Sequence, residues 1–450
     1  MAVELAVVGG GAAGLTAAYF AASAGAQVVV LEKNMEAGRK ILISGGTRCN
    51  VLPQQADPQR DFFTESSQSA LRAVLATWTL ESCHSWLSDN EHLGLPLSLE
   101  PETAKWFPRS NSAQDVRDAL VAACRRRGAA FRFGAGLRRL RRLQSGGWAC
   151  ETEAGEVLAQ RVVLATGGMS FPKLGATGIG YQAASDLGHT LHPPYPALTP
   201  LLGRHPGGQQ LAGVSLYSAQ LSCVQQPGAT AGGQASGRRR AAQRAVRAER
   251  SAMLFTHRGY SGPAVLDLSH HLVKEMERGA TPPELVVDWT GEGRAAWEQR
   301  LAVGGSGLAP NLLRKHGLPQ RLAEALCLEA GLPLDRRLSE LKKAEREHLL
   351  TALTRYPLPV SGHEAYPKAE VTGGGVPLNE VDCSTLESRL APGLHLCGEV
   401  LDVFGRIGGF NFYWAWVTGR AAGRAAAAAA VAGRMPVEEG SGAAARAVQA

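Results

Sequence analysis

Glycine residues at a fixed spacing near the start of the chain have the pattern of a phosphate-binding turn. Gly9, Gly11 and Gly14 form GxGxxG, and the acid Glu32 follows 18 residues after the last glycine. The first glycine permits a tight turn, the second lets the backbone approach a pyrophosphate, and the third lets a helix pack closely on a strand. The acid suits a ribose diol and would repel a 2′-phosphate. The spacing therefore predicts a dinucleotide site that favours NAD or FAD over NADP.

The residues around this pattern have the composition of a strand, a helix and a second strand. Residues 3–8 are a short apolar run, residues 12–24 are rich in alanine and end at Gly25, and residues 28–31 are a second apolar run closed by Glu32. A helix that starts in the glycine pattern points free N–H groups and about half a positive charge at the phosphates. We therefore expect an α/β, Rossmann-like unit here.

A cationic stretch rich in glycine, GRKILISGGTRCN at 38–50, follows closely. A second glycine pattern for a fixed nicotinamide domain is missing, because GAGLRR at 134–139 lacks the third glycine and TGGGVP at 372–377 runs into proline. One site fits a tightly held flavin better, since a flavin ring extends far beyond the pyrophosphate. The stretch therefore predicts FAD, with Arg39 and Lys40 at the phosphates. We expect Ser44, Gly45 and Gly46 beside the ring and Arg48, Cys49 and Asn50 near its reactive edge.

Two later segments have glycine turns that suit the same site. VVLATGG at 162–168 is an apolar strand that ends in glycine, and residues 394–411 begin as another strand. The acids Glu399 and Asp402 are suited to the ribityl hydroxyls. The glycines at 408–409 precede a long helix rich in alanine, and we expect its N-terminus to face the N1–C2=O edge of the flavin. Negative charge develops at that edge on reduction.

The composition limits the class of protein. The chain has 450 residues, 45% of them hydrophobic, which indicates two or three domains. Its eight cysteines form no CxxC pair, so we expect neither a zinc site nor a disulfide framework, and no other metal-ligand spacing occurs. No apolar run is long enough to span a membrane, and an apolar strand begins at about Val3, which leaves no room for a signal peptide. We expect a cytoplasmic protein.

The chain carries an excess of positive charge, with a formal net charge of +7 at pH 7. Arginines cluster at 125–127, 138–142 and 238–250. Such clusters hold polyanions such as RNA, because each phosphate contact releases counterions. The alternative is a solvated surface in a protein that uses arginine generally. Both interpretations stay open at this point.

The motifs taken together resemble those of a known family. Besides GGGAAG at 9–14 and the stretch at 38–50, they are WFPRSNSAQDV at 106–116, ATGGMSFPKLGATGIGY at 165–181, LFTHRGYSGPAVLDLS at 254–269, AEVTGGGVPLNEVD at 369–382 and TLESRLAPGLHLCGEVLDVFGRIGGFN at 385–411. Over about residues 1–425 the chain resembles the BaiN/RdsA-like FAD-dependent oxidoreductases, which include aminoacetone-oxidase-like members. It departs from the family at Thr47, where a third glycine is usual, and at Tyr413, where glutamine is usual. Residues 225–250 have the composition of an insertion, which we expect to be flexible.

The resemblance implies an architecture of three parts. An FAD-binding domain of the two-dinucleotide-binding-domain flavoprotein type would use residues 1–190 and 364–430. A β-rich substrate domain at 191–295 and 351–363 would be inserted into it. A helical subdomain at 296–350 would be carried on that insert. Residues 431–450 have the composition of a disordered tail.

The motifs and the resemblance together predict the residues that contact FAD. They are Gly9, Gly11, Ala12, Ala13, Gly14, Glu32, Lys33, Arg39, Lys40, Ser44, Gly45, Gly46, Arg48, Asn50, Leu137, Thr166, Gly167, Gly398, Glu399, Asp402, Gly408, Gly409, Asn411 and Phe412.

The resemblance also implies candidates for proton transfer near the flavin. Cys49 would lie by the ring, where a thiol can protonate a carbon after hydride arrives. His257 would face the flavin from the substrate domain and could serve as acid or base near neutral pH. Tyr413 and Tyr260 could each donate a phenol proton, and Lys173 could bind an anion. For each of them a purely structural role remains the alternative.

Three functions follow from the resemblance and the charge. In the first, NAD(P)H reduces FAD, which then reduces a conjugated C=C bond, and the basic surface favours uridine in ribosomal RNA as the substrate over a steroid. In the second, a small amine such as aminoacetone reduces FAD and oxygen reoxidises it. In the third, the protein binds RNA or the ribosome and FAD is a structural part without an enzymatic role. A small substrate needs no basic surface, so binding that depends strongly on salt would argue against the second.

Overall fold

The computed structural model describes residues 2–208, 210–225, 245–248 and 250–433. In these ranges the strands are β1 (Val3–Val8), β2 (Val28–Leu31), β3 (Leu52–Pro53), β4 (Phe62–Phe63), β5 (Leu97–Glu100), β6 (Lys105–Pro108), β7 (Ala130–Arg132), β8 (Leu137–Arg142), β9 (Trp148–Thr152), β10 (Gly155–Leu164), β11 (His192–Ala197), β12 (Leu201–Leu202), β13 (Ser215–Val224), β14 (Ala245–Arg247), β15 (Ser251–Phe255), β16 (Gly259–Ser261), β17 (Glu284–Asp288), β18 (Tyr356–Pro357), β19 (Gly362–His363), β20 (Val371–Gly375), β21 (Leu394–Leu396) and β22 (Phe404–Gly405). The helices are α1 (Ala12–Ser23), α2 (Arg39–Ile43), α3 (Pro58–Asp61), α4 (Gln68–Leu75), α5 (Leu80–Ser88), α6 (Ala113–Arg126), α7 (Ile179–Asp186), α8 (Pro263–Glu277), α9 (Gly293–Ala302), α10 (Ala309–Lys315), α11 (Gln320–Glu329), α12 (Lys343–Thr354) and α13 (Phe410–Ala432).

The first sheet is built on parallel strands that end at one edge. Its order is β7-β2-β1-β10-β9-β8, and β21 pairs with the second half of β10. The pairs β1–β2, β1–β10, β2–β7 and β10–β21 are parallel, whereas β9 pairs antiparallel with β8 and β10. The central strands are buried on both faces, as their continuous apolar sequences require. The carboxyl ends of β1, β2, β10 and β21 therefore meet at one place, although they are far apart in the sequence.

Helix α13 packs along α1 over one face of this sheet. Two glycines make the close approach possible, because a Cβ on Gly419 would lie about 2.5 Å from the Ala13 carbonyl oxygen and one on Gly423 would collide with that of Ala17. The last long helix of the described chain thus covers the helix that follows the first strand. The two ends of the sequence form one packed unit.

A second sheet comes from the middle of the chain. It has the order β18-β17-β13-β15-β16-β12-β19, with β14 beside β13, and its pairs are antiparallel. Helices α9 to α12 lie between β17 and β18 in the sequence. A core of its own, which includes Phe255, Trp289 and Trp297, stands apart from the core around the first sheet.

The α/β, Rossmann-like fold class predicted from the sequence is confirmed. The proposed domain boundaries stay a prediction, although the second sheet and the helices of 293–354 lie where an insert was expected. Most of the expected disordered tail at 431–450 and of the flexible insertion at 225–250 lies outside the described residues, whereas the described part of the tail includes the end of α13 and that of the insertion includes β14.

Candidate functional site

A cavity of about 450 Å³ opens at the carboxyl edge of the first sheet. Its floor is the GxGxxG turn after β1, and one end is formed by residues at the ends of β2, β8 and β9, including Glu32, Leu137 and Glu153. The start of α13, with Gly408 and Gly409, lines it as well. The parallel strands bring these distant segments to one edge, as such sheets do where they bind ligands.

The glycines of the first turn have different physical roles. Gly9 has φ +105, and a Cβ there would collide with the Ala165 carbonyl oxygen. A Cβ on Gly14 would collide with the carbonyl oxygen of Gly9. Gly11 has an ordinary extended backbone (φ −80, ψ −172), and a Cβ there would meet no atom within 4 Å. Gly9 and Gly14 are therefore required by the protein itself, whereas the open space at Gly11 is where a phosphate fits.

Glu32 lies at the end of β2 with its carboxylate partly engaged. One oxygen accepts from the Gly10 N–H at 2.8 Å, and the other accepts from the backbone N–H and the side-chain amide of Asn34 at 2.8 and 2.7 Å. Oε1 already accepts two bonds, whereas Oε2 accepts one and can accept a further one. The residue therefore both fixes the glycine turn and presents an acceptor to the cavity, as the ribose interpretation requires.

The stretch at 38–50 is more compact than a loop. It forms the short helix α2 and then a 3-10 turn at Ser44–Thr47, in which Gly45, Gly46 and Thr47 have φ +54, +65 and +70. These left-handed conformations favour glycine, and a β-branched threonine at the third is strained. The structure thus gives a physical reason why a glycine would suit position 47.

Lys40 lies at the centre of a polar cluster on the cavity wall. Its Nζ donates to Glu399 Oε2 at 2.8 Å and to Ser170 Oγ at 2.5 Å. Glu399 Oε1 accepts in turn from the Thr372 N–H at 2.8 Å. Arg39 also lines the cavity and donates to Asn34 Oδ1 at 2.8 Å. Two cations are therefore held beside the glycine turn, which suits a pyrophosphate.

A further cation flanks the start of α13. Lys105 begins β6, and a Cβ on Gly408 would lie 3.2 Å from its Cε. Burial lowers the pKa of Lys105, while the nearby carboxylates of Asp267 and Glu100 act in the opposite sense. The positive end of the helix and this ammonium group both favour negative charge at the same end of the cavity.

Most of the predicted FAD contacts are brought together in this cavity. Those that line it are Gly9, Gly11, Ala12, Ala13, Glu32, Lys33, Arg39, Lys40, Ser44, Gly45, Gly46, Asn50, Leu137, Thr166, Gly167, Gly398, Glu399, Gly408, Gly409, Asn411 and Phe412. The Asn411 side chain is turned towards Gly405. Its Oδ1 accepts from the Gly405 N–H at 2.8 Å, and its Nδ2 donates to the Gly405 carbonyl at 2.8 Å.

Three of the predicted contacts lie elsewhere. Gly14 packs beneath the turn. Arg48 bonds to Glu100 of β5 at 2.8 Å and lies over the Phe107 ring of β6, and neither partner lines the cavity. Asp402 is buried and accepts from the Glu65 N–H and from His192 at 2.8 and 2.7 Å. It therefore connects β11 to the first unit rather than facing a ribityl chain.

The proposed proton-transfer residues do not line the cavity. Cys49 is fully buried, and burial raises its pKa to about 12. The Tyr413 hydroxyl donates to the Trp78 carbonyl at 2.8 Å and is turned into the core. His257 is exposed in the turn between β15 and β16, and Tyr260 donates to backbone carbonyls beneath that turn. Lys173 is exposed and also outside the cavity wall. The structure thus supports structural roles for the two tyrosines and Cys49.

We expect Cys49 to be inert to thiol reagents in the folded protein. The thiol is shielded and neutral near pH 8, and only thiolates attack alkylating agents. Cys383, which is partly exposed, supplies the control within the same molecule. Alkylation with iodoacetamide followed by peptide mass spectrometry should label Cys383 at least about tenfold faster than Cys49. Equal labelling would show that Cys49 is accessible and would restore its candidacy.

Other cavity residues were missed from the sequence. Glu370 and Ser170 line the wall, Lys105 flanks it, and Asn34 supports Glu32. Ser170 and Glu370 lie within stretches that carry the family resemblance, but the fold brings them together although they are 200 residues apart in the sequence.

Within the described ranges no cluster of three or more metal-binding side chains occurs, and no helix is long and apolar enough to cross a membrane.

Comparison with known proteins agrees with this geometry. The family described as HI0933-like protein Rossmann domain matches residues 3–425. The ribosomal RNA dihydrouridine synthase of Escherichia coli (strain K12) is 32% identical over 417 residues, which are 91% of this chain and 94% of that protein. The 3-dehydro-bile acid delta(4,6)-reductase of Clostridium scindens is 32% identical over 433 residues, 94% of this chain and 99% of that protein. The ribosomal RNA dihydrouridine synthase of Haemophilus influenzae is 29% identical over 415 residues, 91% and 95%. The chain therefore belongs to the HI0933-like Rossmann family and is an FAD-dependent oxidoreductase.

Proposed function

We propose that the protein uses NAD(P)H to reduce its FAD and then reduces a conjugated C=C bond, with uridine in ribosomal RNA as the substrate. The observation that carries this proposal is the similarity, over more than nine-tenths of the chain, to two proteins whose names describe the reduction of a ring double bond. Exposed arginines on β8 and at the end of α6 favour a polyanionic substrate. A neutral steroid would gain no binding free energy from these arginines.

The residues of the cavity fit FAD, and different residues would hold different parts of it. The backbone at Gly11 and the free N–H groups of the first turn of α1 would bind the pyrophosphate, and Arg39 and Lys40 would balance its charge. Glu32 would accept from the adenosine ribose. Once bound, FAD supplies the transfer of hydride. The start of α13 and Lys105 would stabilise the negative charge that reduction builds.

The proposed function is tested by anaerobic mixing. The purified yellow protein is mixed with NADPH or NADH in one cell and with aminoacetone in another, and the flavin absorbance is followed. We expect bleaching by the nicotinamide alone, and then recovery of the absorbance when unmodified ribosomal RNA transcribed in vitro is added, with dihydrouridine in the digested RNA. Bleaching by aminoacetone alone would identify an amine oxidase and overturn the proposal.

Replacing Lys105 with Met should lower the midpoint potential of the bound FAD. Losing a poorly solvated positive charge beside the start of α13 costs the reduced cofactor about 1–2 kcal/mol, or about 20–40 mV for two electrons. Equilibrium titration against a reference dye measures the shift. Lys315→Met, which removes an exposed lysine from the end of α10, is the control. An unchanged potential in Lys105→Met would mean that the flavin ring does not lie at this end.

A further inference from the structure

One acidic side chain on the cavity wall is held in place by hydrogen bonds of its main chain. Glu370 lines the cavity just before β20. Its backbone is fixed on both sides, because its N–H donates to the Leu198 carbonyl at 3.1 Å and its carbonyl accepts from Ser170 Oγ at 3.3 Å. No hydrogen bond or ion pair to its carboxylate occurs within residues 2–208, 210–225, 245–248 and 250–433. The carboxyl group is therefore held in place by its main chain and presented to the cavity.

The other carboxylates of the cavity are occupied or distant from this position. Glu32 bonds to the glycine turn and Asn34, and Glu399 bonds to Lys40 and the Thr372 N–H. Glu153 lies by Gly136, at the end of the cavity that Glu32 and Leu137 also form. Of the four carboxylates that line the cavity, Glu370 is the one that both lacks a bonding partner among the described residues and lies away from the ribose end.

Glu370 belongs to the wall on the side of the second sheet. The next residue, Val371, pairs with Ala197 of β11, and the Thr199 N–H nearby donates to Ser269 of α8 at 3.1 Å. Leu266 of the same helix also lines the cavity. The first sheet closes the opposite side, where the nucleotide is held. We expect a substrate to approach the flavin along the wall that carries Glu370.

The surroundings favour the protonated form of this carboxyl group. The Glu370 side chain is exposed towards the cavity. Burial raises its pKa, and the positive charge of Lys40 acts in the opposite sense. A flavin and a substrate in the cavity would displace water and strengthen the effect of burial. A carboxyl group in such a position keeps its proton at a higher pH than a solvated one.

We propose that Glu370 is the acid that protonates the substrate carbon when the C=C bond is reduced. This inference rests on the proposed function. As the β-carbon receives the hydride that bound FAD would supply, the π electrons of the double bond would pass to the α-carbon, where a new C–H bond would form with the proton of Glu370. Two hydrogens are thus added across one double bond, the cofactor is oxidised, NAD(P)H reduces it again, and the carboxylate regains a proton from water. The role requires a proton donor in the cavity, and Cys49, His257 and Tyr413 lie outside it.

The test compares Glu370→Gln, which keeps the shape and cannot donate the proton, with Glu370→Asp, which keeps the acid. Glu364→Gln, six residues earlier and outside the cavity wall, is the matched control. Each variant is loaded with FAD, reduced by NADPH without oxygen, and mixed with ribosomal RNA transcribed in vitro. Two rates are recorded, that of FAD reduction by NADPH and that of dihydrouridine formation, each from pH 5 to pH 9.

We expect Glu370→Gln to form product at least about 100-fold more slowly, the usual effect of losing a general acid. FAD content and the rate of FAD reduction by NADPH should stay within about twofold of wild type. In the wild type, product formation should fall as the pH rises through the pKa of Glu370, because the protonated form is the donor. That dependence on pH should vanish in Glu370→Gln and return, at a reduced rate, in Glu370→Asp. Glu364→Gln should behave as the wild type.

The outcomes separate this inference from the proposed function. If the wild type forms dihydrouridine and Glu370→Gln does so at a similar rate with the same pH dependence, Glu370 is not the acid. If Glu370→Gln also loses FAD or its reduction by NADPH, Glu370 supports the cofactor and the acid role is overturned. If the wild type is reduced by NADPH but forms no product from RNA, the proposed substrate is wrong and the role of Glu370 in reducing it falls as well.

Discussion

Gly11→Ala should yield an apoprotein as stable as the wild type that has lost most of its affinity for FAD. The backbone there is extended, and the new methyl group meets no protein atom within 4 Å, so folding is not opposed. Loss of chain entropy in the unfolded state should even stabilise the apoprotein slightly. The methyl group instead occupies the space into which the pyrophosphate must fit. Crowding of this kind costs about 1–3 kcal/mol, a rise in Kd of about 5- to 150-fold.

Gly14→Ala, in the same motif, should have the opposite effect on the stability of the apoprotein. Its Cβ would collide with the Gly9 carbonyl oxygen, so α1 and the turn must move apart. We expect the apoprotein itself to lose about 3 kcal/mol of stability, with FAD affinity reduced as a consequence. Thermal unfolding of both apoproteins and fluorescence titration with FAD distinguish the two variants. If Gly11→Ala bound FAD normally, the phosphate would not lie against this backbone, and if the apoprotein unfolded early, the space beside Gly11 would not be open.

Lys40→Met should weaken FAD binding by about 10- to 100-fold, the effect of losing a charge-assisted bond to a phosphate. It should also destabilise the apoprotein, because Glu399 then keeps its charge on the cavity wall without its cation. Isothermal titration with FAD and apoprotein unfolding measure the two effects separately. Lys315→Met, at an exposed site on α10, should change neither.

A second substitution separates the two roles of Lys40. Adding Glu399→Gln to Lys40→Met removes the uncompensated carboxylate, so apoprotein stability should recover. FAD affinity should stay low, because the phosphate still lacks its cation. Recovery of affinity in the double variant would show that Lys40 serves only to neutralise Glu399, and the assignment to phosphate would be wrong.

The sequence was most informative where a constraint on the backbone requires a particular residue type at a particular position. Gly9 needs a positive φ, Gly14 needs close packing, and Glu32 ends a strand at a fixed distance, so spacing alone located this part of the cavity. The pattern predicted the packing role of Gly14, but Gly14 does not line the cavity, although it was also expected to contact FAD. The sequence could not separate Lys40, which faces the cavity, from Arg48, which finds Glu100 on another strand.

The candidate proton donors were harder to predict, because the surroundings of such a side chain are set by the tertiary fold. Cys49 follows the glycines that line the cavity, but a left-handed backbone at φ +59 accompanies a thiol buried in the core. Glu370 is an ordinary acid in the sequence. Its significance arises only from residues 170 and 198, which hold its main chain against the cavity. No periodic pattern of residues along the sequence predicts such a contact.

The shared packing of α1 and α13 has a consequence for how the protein is made. The glycine turn after β1 is synthesised well before Gly398 and the start of α13, which line the same cavity. A nascent chain therefore has only part of this cavity while the residues between them are made. FAD can be held firmly only after the C-terminal helix has left the ribosome and docked, so loading with the cofactor is a late step. Because residues after β1 and at the start of α13 line one cavity, the binding free energy of FAD in that cavity would stabilise the packing of α1 against α13.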